Sequence, residues 1–129
     1  MIFVDTNVFI YAVGRPHPLR EEARSKLFSA VERGTSLCTS AEVLQELLHA
    51  YLAVGRQTTL DAAFTLVDGC VEEVWSVDRE DVHLARALDG DHPGLTARDL
   101  IHLACCRRRG VTEAMTFDRA LASVLGSGP

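Results

Sequence analysis

The chain of 129 residues carries 18 acidic and 13 basic side chains, for a net charge of −5, with 47% hydrophobic and 24% charged residues. This length is near the modal size of one domain, and the composition excludes collagen-like, disordered and disulfide-scaffold chains. No apolar run reaches the ~18 residues of a membrane span, and the acidic balance argues against a nucleic-acid binder unless clustered carboxylates are neutralised by a metal.

In chain order, Ile2-Phe-Val4 is a short continuous apolar run, the pattern of a strand buried on both faces. Asp5-Thr6-Asn7 ends it, Val8–Val13 reads as a short helix or turn, and Gly14-Arg15-Pro16-His17-Pro18 is a breaker. A helix over about 19–33 follows, its apolar stripe formed by Ala23, Leu27, Ala30 and Val31, with Gly34 as its stop. Ser36–Thr39 predicts a second strand. Ser40–Val54 predicts an amphipathic helix through Val43, Leu44, Leu47, Leu48, Tyr51 and Leu52, ended by Gly55. Thr58-Thr-Leu-Asp61 has the spacing of a capping box opening a helix to about Val67.

Val71–Val77 is rich in β-formers and predicts a third strand, with Trp75 in the core; Asp78–Leu88 predicts a helix, and Gly90–Gly94 a turn. Thr96 is positioned to cap a helix to Arg109, stopped by Gly110. Thr112–Phe117 predicts a last strand, then a short helix. One domain over 1–125 with a flexible tail at 126–129 is expected. Short strands alternating with helices point to a parallel sheet with helices on both faces, whose ligands bind beyond the carboxyl ends of the strands. No basic segment precedes Ile2, so no export signal is expected and the expected location is cytoplasmic. Cys38, Cys70, Cys105 and Cys106 form no CxxC pair and read as reduced, buried or half-buried thiols.

Asp5 and Asp118 stand at predicted strand ends, Asp99 in the first turn of a helix, and Glu46 inside a helix. Each also has a structural role open to it. Asp5 and Asp118 suit helix N-caps, and Asp99 suits the third position after the Thr96 cap. Glu42 pairs by spacing with Thr39 as a capping box, which assigns Glu42 to structure. Glu46 lies about 40° from it on the same helix face and is assigned to the site. Two carboxylates about 4 Å apart repel by roughly 4 kcal/mol at an effective dielectric near 20, against a domain stability of only ~5–15 kcal/mol. A convergent quartet therefore requires protons or a cation. All-oxygen ligands suit Mg²⁺ or Mn²⁺, ions that polarise phosphate oxygens and activate water.

Four segments, in order, carry a family resemblance: Ile2-Phe-Val-Asp-Thr-Asn-Val8, Thr39-Ser-Ala-Glu-Val-Leu-Gln-Glu46-Leu-Leu, Leu95-Thr-Ala-Arg-Asp99-Leu-Ile-His-Leu-Ala104 and Met115-Thr-Phe-Asp118. The chain resembles the PIN-domain ribonucleases, and more closely the VapC-type toxins of bacterial toxin–antitoxin pairs. The resemblance implies a three-layer α/β/α fold around a parallel sheet of four or five short strands. It also implies that Asp5, Glu46, Asp99 and Asp118 surround Mg²⁺ or Mn²⁺, with Thr6, Asn7 and Thr116 bracing them. Endoribonuclease activity on RNA, a homodimer and inhibition by a cognate VapB-type antitoxin follow from the same resemblance. No membrane partner is expected.

The remaining residues divide as follows. His49 and His102 each follow a predicted ligand by three residues, a spacing that suits hydrogen bonding behind the acids, packing, or a zinc site. Arg107-Arg108-Arg109 suits the helix dipole, whereas Arg15, Arg20 and Arg98 are placed for an RNA backbone. Helix 58–67 and the Val8–Val13 segment are candidate dimer or antitoxin surfaces. A passive RNA- or protein-binding module of the same fold is the alternative from another class. An aspartyl-nucleophile phosphatase, a further alternative, would want a second Asp at Asn7 and a lysine at the site, and the only lysine is Lys26.

Overall fold

The computed structural model describes residues 1–127. Its elements, in order, are β1 (Ile2–Val4), α1 (Thr6–Val13), α2 (Arg20–Glu32), β2 (Leu37–Ser40), α3 (Ala41–Leu52), α4 (Gln57–Cys70), β3 (Glu73–Trp75) and α5 (Arg79–Leu88). A single 3₁₀ turn at Asp89–Asp91 leads to α6 (Ala97–Arg108), β4 (Glu113–Met115), α7 (Arg119–Val124) and β5 (Gly126–Ser127).

The five strands form one parallel sheet in the order β3-β2-β1-β4-β5. β1 is central: Ile2 lies opposite both Leu37 and Glu113, and Phe3 opposite both Cys38 and Ala114. All three β1 residues are buried, as a strand covered on both faces requires. From β1 the chain builds outward through β2 to β3, then returns to the other side of β1 for β4 and β5. The sheet order therefore reverses beside β1, and a crevice opens at the carboxyl ends of β1 and β4. Asp5 follows β1 directly, its amide still bonded to the Met115 carbonyl of β4 at 3.0 Å.

The core is apolar and continuous, with Phe3, Phe9, Leu27, Leu37, Leu47, Leu103, Met115 and Leu121 among its fully buried side chains. Phe3 stacks on Trp75 at 6.0 Å between ring centroids and tilts against His102 at 5.3 Å. Gly34 and Gly110 end α2 and α6 at φ 71° and 72°, where a side chain would be strained. All four cysteines are free thiols, and burial pushes Cys38 up to about 12 and Cys105 up to about 11. Among the described residues no helix is long and apolar enough to cross a membrane.

The structure departs from the sequence expectations in six places. Thr39 belongs to β2 and gives its hydroxyl to the Val4 carbonyl at 2.9 Å, so the Thr39/Glu42 capping box does not form. Nor does the Thr58/Asp61 box: α4 starts one residue earlier, after Arg56, without a side-chain cap. The third strand contracts from 71–77 to Glu73–Trp75: Val71 serves as the C-cap of α4, its amide bonded to the Val67 carbonyl, and at the other end Asp78 caps α5. Val31, Leu48 and Leu52, counted with the core stripes, stand 45%, 40% and 52% exposed. Gly126-Ser127, expected in the tail, pairs with β4 as a fifth strand, while 128–129 lie outside the described residues. Finally, Arg108 and Arg109 converge on one carboxylate instead of only facing the helix dipole. Asp81, fully buried, accepts from Arg108 Nη1 at 2.8 Å and Arg109 Nη1 at 2.9 Å.

Candidate active site

Asp5 caps α1, its Oδ1 accepting the Thr6 amide at 2.8 Å. Its Oδ2 accepts the Thr116 hydroxyl at 2.7 Å, and that hydroxyl oxygen in turn accepts the Asp118 amide at 3.0 Å. Asn7 bridges the same group: its Nδ2 lies 3.4 Å from both Asp5 Oδ2 and Thr116 Oγ1, while its Oδ1 accepts the Phe117 amide at 3.2 Å. Residues 5–7 and 116–118 are thus locked together across the β1–β4 crevice, which fixes Asp5 and Asp118 relative to one another.

Glu46 reaches the crevice from α3. The Thr6 hydroxyl donates to its Oε2, and His102 Nε2 lies 3.1 Å from its Oε1 and 3.6 Å from Asp5 Oδ1. A carboxylate can only accept, so Nε2 carries the proton in this contact. His102, 1% exposed, stands on α6, held by Phe3 below it.

Asp99 forms the capping box that its spacing suggested. Its Oδ2 accepts the Thr96 amide and its own amide bonds the Thr96 hydroxyl, both at 3.2 Å. Asp118 caps α7 through one oxygen, Oδ1, which accepts the Ala120 amide at 2.8 Å and the Leu121 amide at 3.3 Å. The capping and site roles are therefore compatible. Each cap occupies one carboxylate oxygen, and Asp99 and Asp118 also line the cavity that Asp5 and Glu46 share.

That cavity holds about 310 Å³. The tightest group in it is Asp5, Glu46 and His102, whose ligand atoms lie within 4.8 Å of one another; Asp99 and Asp118 line its wall outside that trio. Arg98 and the exposed His49 stand at its lip. Of the residues expected from sequence, all four acids reach one cavity, as do Thr6 and Asn7, and Thr116 braces Asp5 from behind. The direct contact of His102 with two acids was not foreseen in that form, although its spacing after Asp99 signalled its face.

The electrostatics show the strain of this gathering. Burial pushes the Asp5 pKa up, more than His102, Thr116 and the Thr6 amide pull it down. Burial would also raise Glu46, but the His102 and Thr6 hydrogen bonds hold it below the usual carboxylate range. Burial and the charge of Glu46 push the half-buried Glu42 up; it is free of any capping role and faces the same charge cluster. For His102, burial disfavours the cation, but the Glu46 hydrogen bond and the charge of Asp5 outweigh it and raise its pKa. The oxygen-rich donor set fits a hard divalent cation. With His102 Nε2 committed to Glu46, the acids of the cavity offer an ion carboxylate oxygens.

A larger cavity lies elsewhere. An apolar groove of about 650 Å³ runs between α1, α2 and α4, lined by Val13, Phe28, Val31 and Leu66, far in character from the acid cluster.

The family model described as PIN domain matches residues 2–125. The chain belongs to the PIN-domain family. It is 60% identical over 127 residues to Ribonuclease VapC23 of Mycobacterium tuberculosis, covering 98% of this chain and 100% of that one. In structure it is similar to Mycobacterium tuberculosis VapC20, described as a sarcin-ricin loop cleaving toxin, with a TM-score of 0.80 and 21% identity over 95% of this chain and 94% of that one. A chain of VapBC2 from Rickettsia felis, crystallised on a DNA fragment from its promoter, matches with a TM-score of 0.70 at 12% identity over 96% and 93% of the two chains. These two solved structures confirm the three-layer PIN fold, with its parallel sheet between helices.

Proposed function

We propose that the chain is a Mg²⁺- or Mn²⁺-dependent endoribonuclease, the toxin of a toxin–antitoxin pair, which hydrolyses RNA phosphodiester bonds and thereby inhibits translation or growth. The observation that carries this reading is the meeting of Asp5, Glu46, Asp99 and Asp118 in one cavity at the sheet's switch point, from four separate elements. The 60% identity to a relative named a ribonuclease supports it.

Asp5, Asp99, Asp118 and Glu46 are the residues that would hold the ion. When bound, a divalent cation offsets the charge of phosphate oxygens and lowers the pKa of water. The chain's own residues then do the positioning. Thr6, Thr116 and Asn7 hold Asp5 at the floor of the cavity. Glu46, fixed by Thr6 and His102, is placed to share in holding the ion or to orient the attacking water. Arg98, exposed at the lip and without an ion pair among the described residues, meets the RNA backbone.

A VapB-type antitoxin is the partner this reading supplies, and the apolar groove between α1, α2 and α4 suits an apolar segment of it. Homodimer formation belongs to the same reading, supported by the exposed Leu48 and Leu52 on either side of His49, as does a cytoplasmic location. The test is RNA cleavage by the full chain with Mn²⁺, against Asp5→Ala and Asp5→Asn. Both variants should lose cleavage while keeping the parent's circular dichroism. Full cleavage by a folded Asp5→Ala chain would falsify the reading.

A further inference from the structure

Outside the lining of the acidic cavity, next to the Asn7–Phe117 bridge, stands a ladder of rings that the metal chemistry does not use. His17 stacks on Tyr11 at 4.4 Å between centroids and 26° between planes, and Tyr11 meets Phe117 edge-on at 5.4 Å and 77°. The ladder is joined to the acid site. Phe117 lies between Thr116 and Asp118, and its amide is bonded to Asn7. Tyr11 follows Asn7 by four residues on α1, so it continues the Asn7 face one helical turn away from Asp5.

Its outermost ring is unusually fixed for an exposed one. His17 sits between Pro16 and Pro18, which lock the backbone φ on either side. Its Nδ1 accepts the Leu19 amide at 3.0 Å, which sets the ring plane and leaves the proton on Nε2. The ring therefore presents a rigid face at little ordering cost.

Two cations stand by the ladder in a chain of net charge −5. The Lys26 ammonium stands 5.8 Å from the centre of the Phe117 ring. Arg15 adjoins Pro16, and among the described residues neither Arg15 nor Lys26 forms an ion pair. Fixed rings beside unpaired cations match single-stranded nucleic acid, whose bases stack while its phosphates are neutralised.

We propose that the His17–Tyr11–Phe117 ladder is a stacking subsite for a base of single-stranded RNA neighbouring the phosphate at the acid cavity. This inference rests on the nuclease reading and adds to it a contact to the substrate. His17 forms the stacking surface, Tyr11 and Phe117 support it, and Lys26 and Arg15 face the backbone. Stacking needs the ring and tolerates any base, so the subsite favours unpaired RNA without dictating sequence.

The experiment measures binding of a fluorescein-labelled single-stranded oligoribonucleotide by anisotropy in the cleavage-silent Asp5→Asn full chain, with and without substitutions at His17. His17→Ala should weaken binding about 5- to 150-fold. His17→Phe, which keeps a ring and drops the imidazole nitrogens, should bind near the parent value. An oligomer with abasic riboses should bind the His17 and His17→Ala chains alike. Equal RNA binding by His17→Ala, or binding by His17→Phe as weak as that of His17→Ala, would overturn the proposal. Cleavage by the unsubstituted chain with Mn²⁺, run in parallel, judges the nuclease reading separately from the subsite.

Discussion

His102 shows how one buried side chain organises the acids around it. It hydrogen-bonds Glu46 at 3.1 Å, lies 3.6 Å from Asp5, and is 1% exposed. Groups that fix a metal ligand's orientation typically contribute 10- to 100-fold in affinity. Calorimetric titration should therefore find Mn²⁺ affinity lowered by about 10- to 100-fold in His102→Leu, and largely restored in His102→Gln, whose amide N–H can replace Nε2–H. Unchanged affinity in a folded His102→Leu chain would reduce His102 to packing. At this scale the meeting of the acids in one cavity was legible because each stands at a strand end, a cap or an inward-turned helix face. The His102 contact was less so, since it depends on how α6 seats against Phe3, a packing fact that spacing does not contain. The Thr39/Glu42 pattern misled for the opposite reason. Its local signal was correct in form, but Thr39 is buried in a strand and its hydroxyl is taken by Val4.

Among the elements, the junction of α5 and α6 depends most on electrostatics. Asp81 receives Arg108, Arg109 and the Asp78 amide, and Arg109 also lies 5.0 Å over the Trp75 ring. Burial alone would raise the Asp81 pKa, but Arg109 and Arg108 hold it well below the usual carboxylate range. Breaking a fully buried pair costs ~3–5 kcal/mol; because the guanidinium groups keep contact with solvent, Asp81→Asn should cost about 2–3 kcal/mol in urea unfolding at neutral pH. A depressed folded pKa means this stabilisation is complete above the unfolded value near ~4 and fades as pH falls below it. The gap between parent and Asp81→Asn should therefore narrow below about pH 4, and a gap that widened there would contradict the assignment. The helices were legible from periodicity and from their glycine stops. β5 was not, because two residues carry no period and Gly126-Ser127 has the composition of a tail.

For the whole molecule, the strand order β3-β2-β1-β4-β5 is what makes a site out of scattered residues. Alternation of strands and helices indicated a parallel sheet, but the return of the chain to the far side of β1 is a long-range event that no local window holds. That return sets Asp118 beside Asp5 and opens the cavity toward α3 and α6. Gathering four carboxylates costs stability unless a cation binds, so Mn²⁺ should raise the thermal unfolding midpoint. At about 100 times its dissociation constant the gain is ~2.7 kcal/mol, and EDTA should remove it. The decisive measurement is calorimetric titration of the full chain with Mn²⁺, parent against Asp5→Asn and Asp118→Asn. Saturable binding in the parent that both substitutions weaken or abolish is the predicted result. A parent chain that binds no Mn²⁺, or binds it equally well after either acid is neutralised, would contradict a shared metal centre.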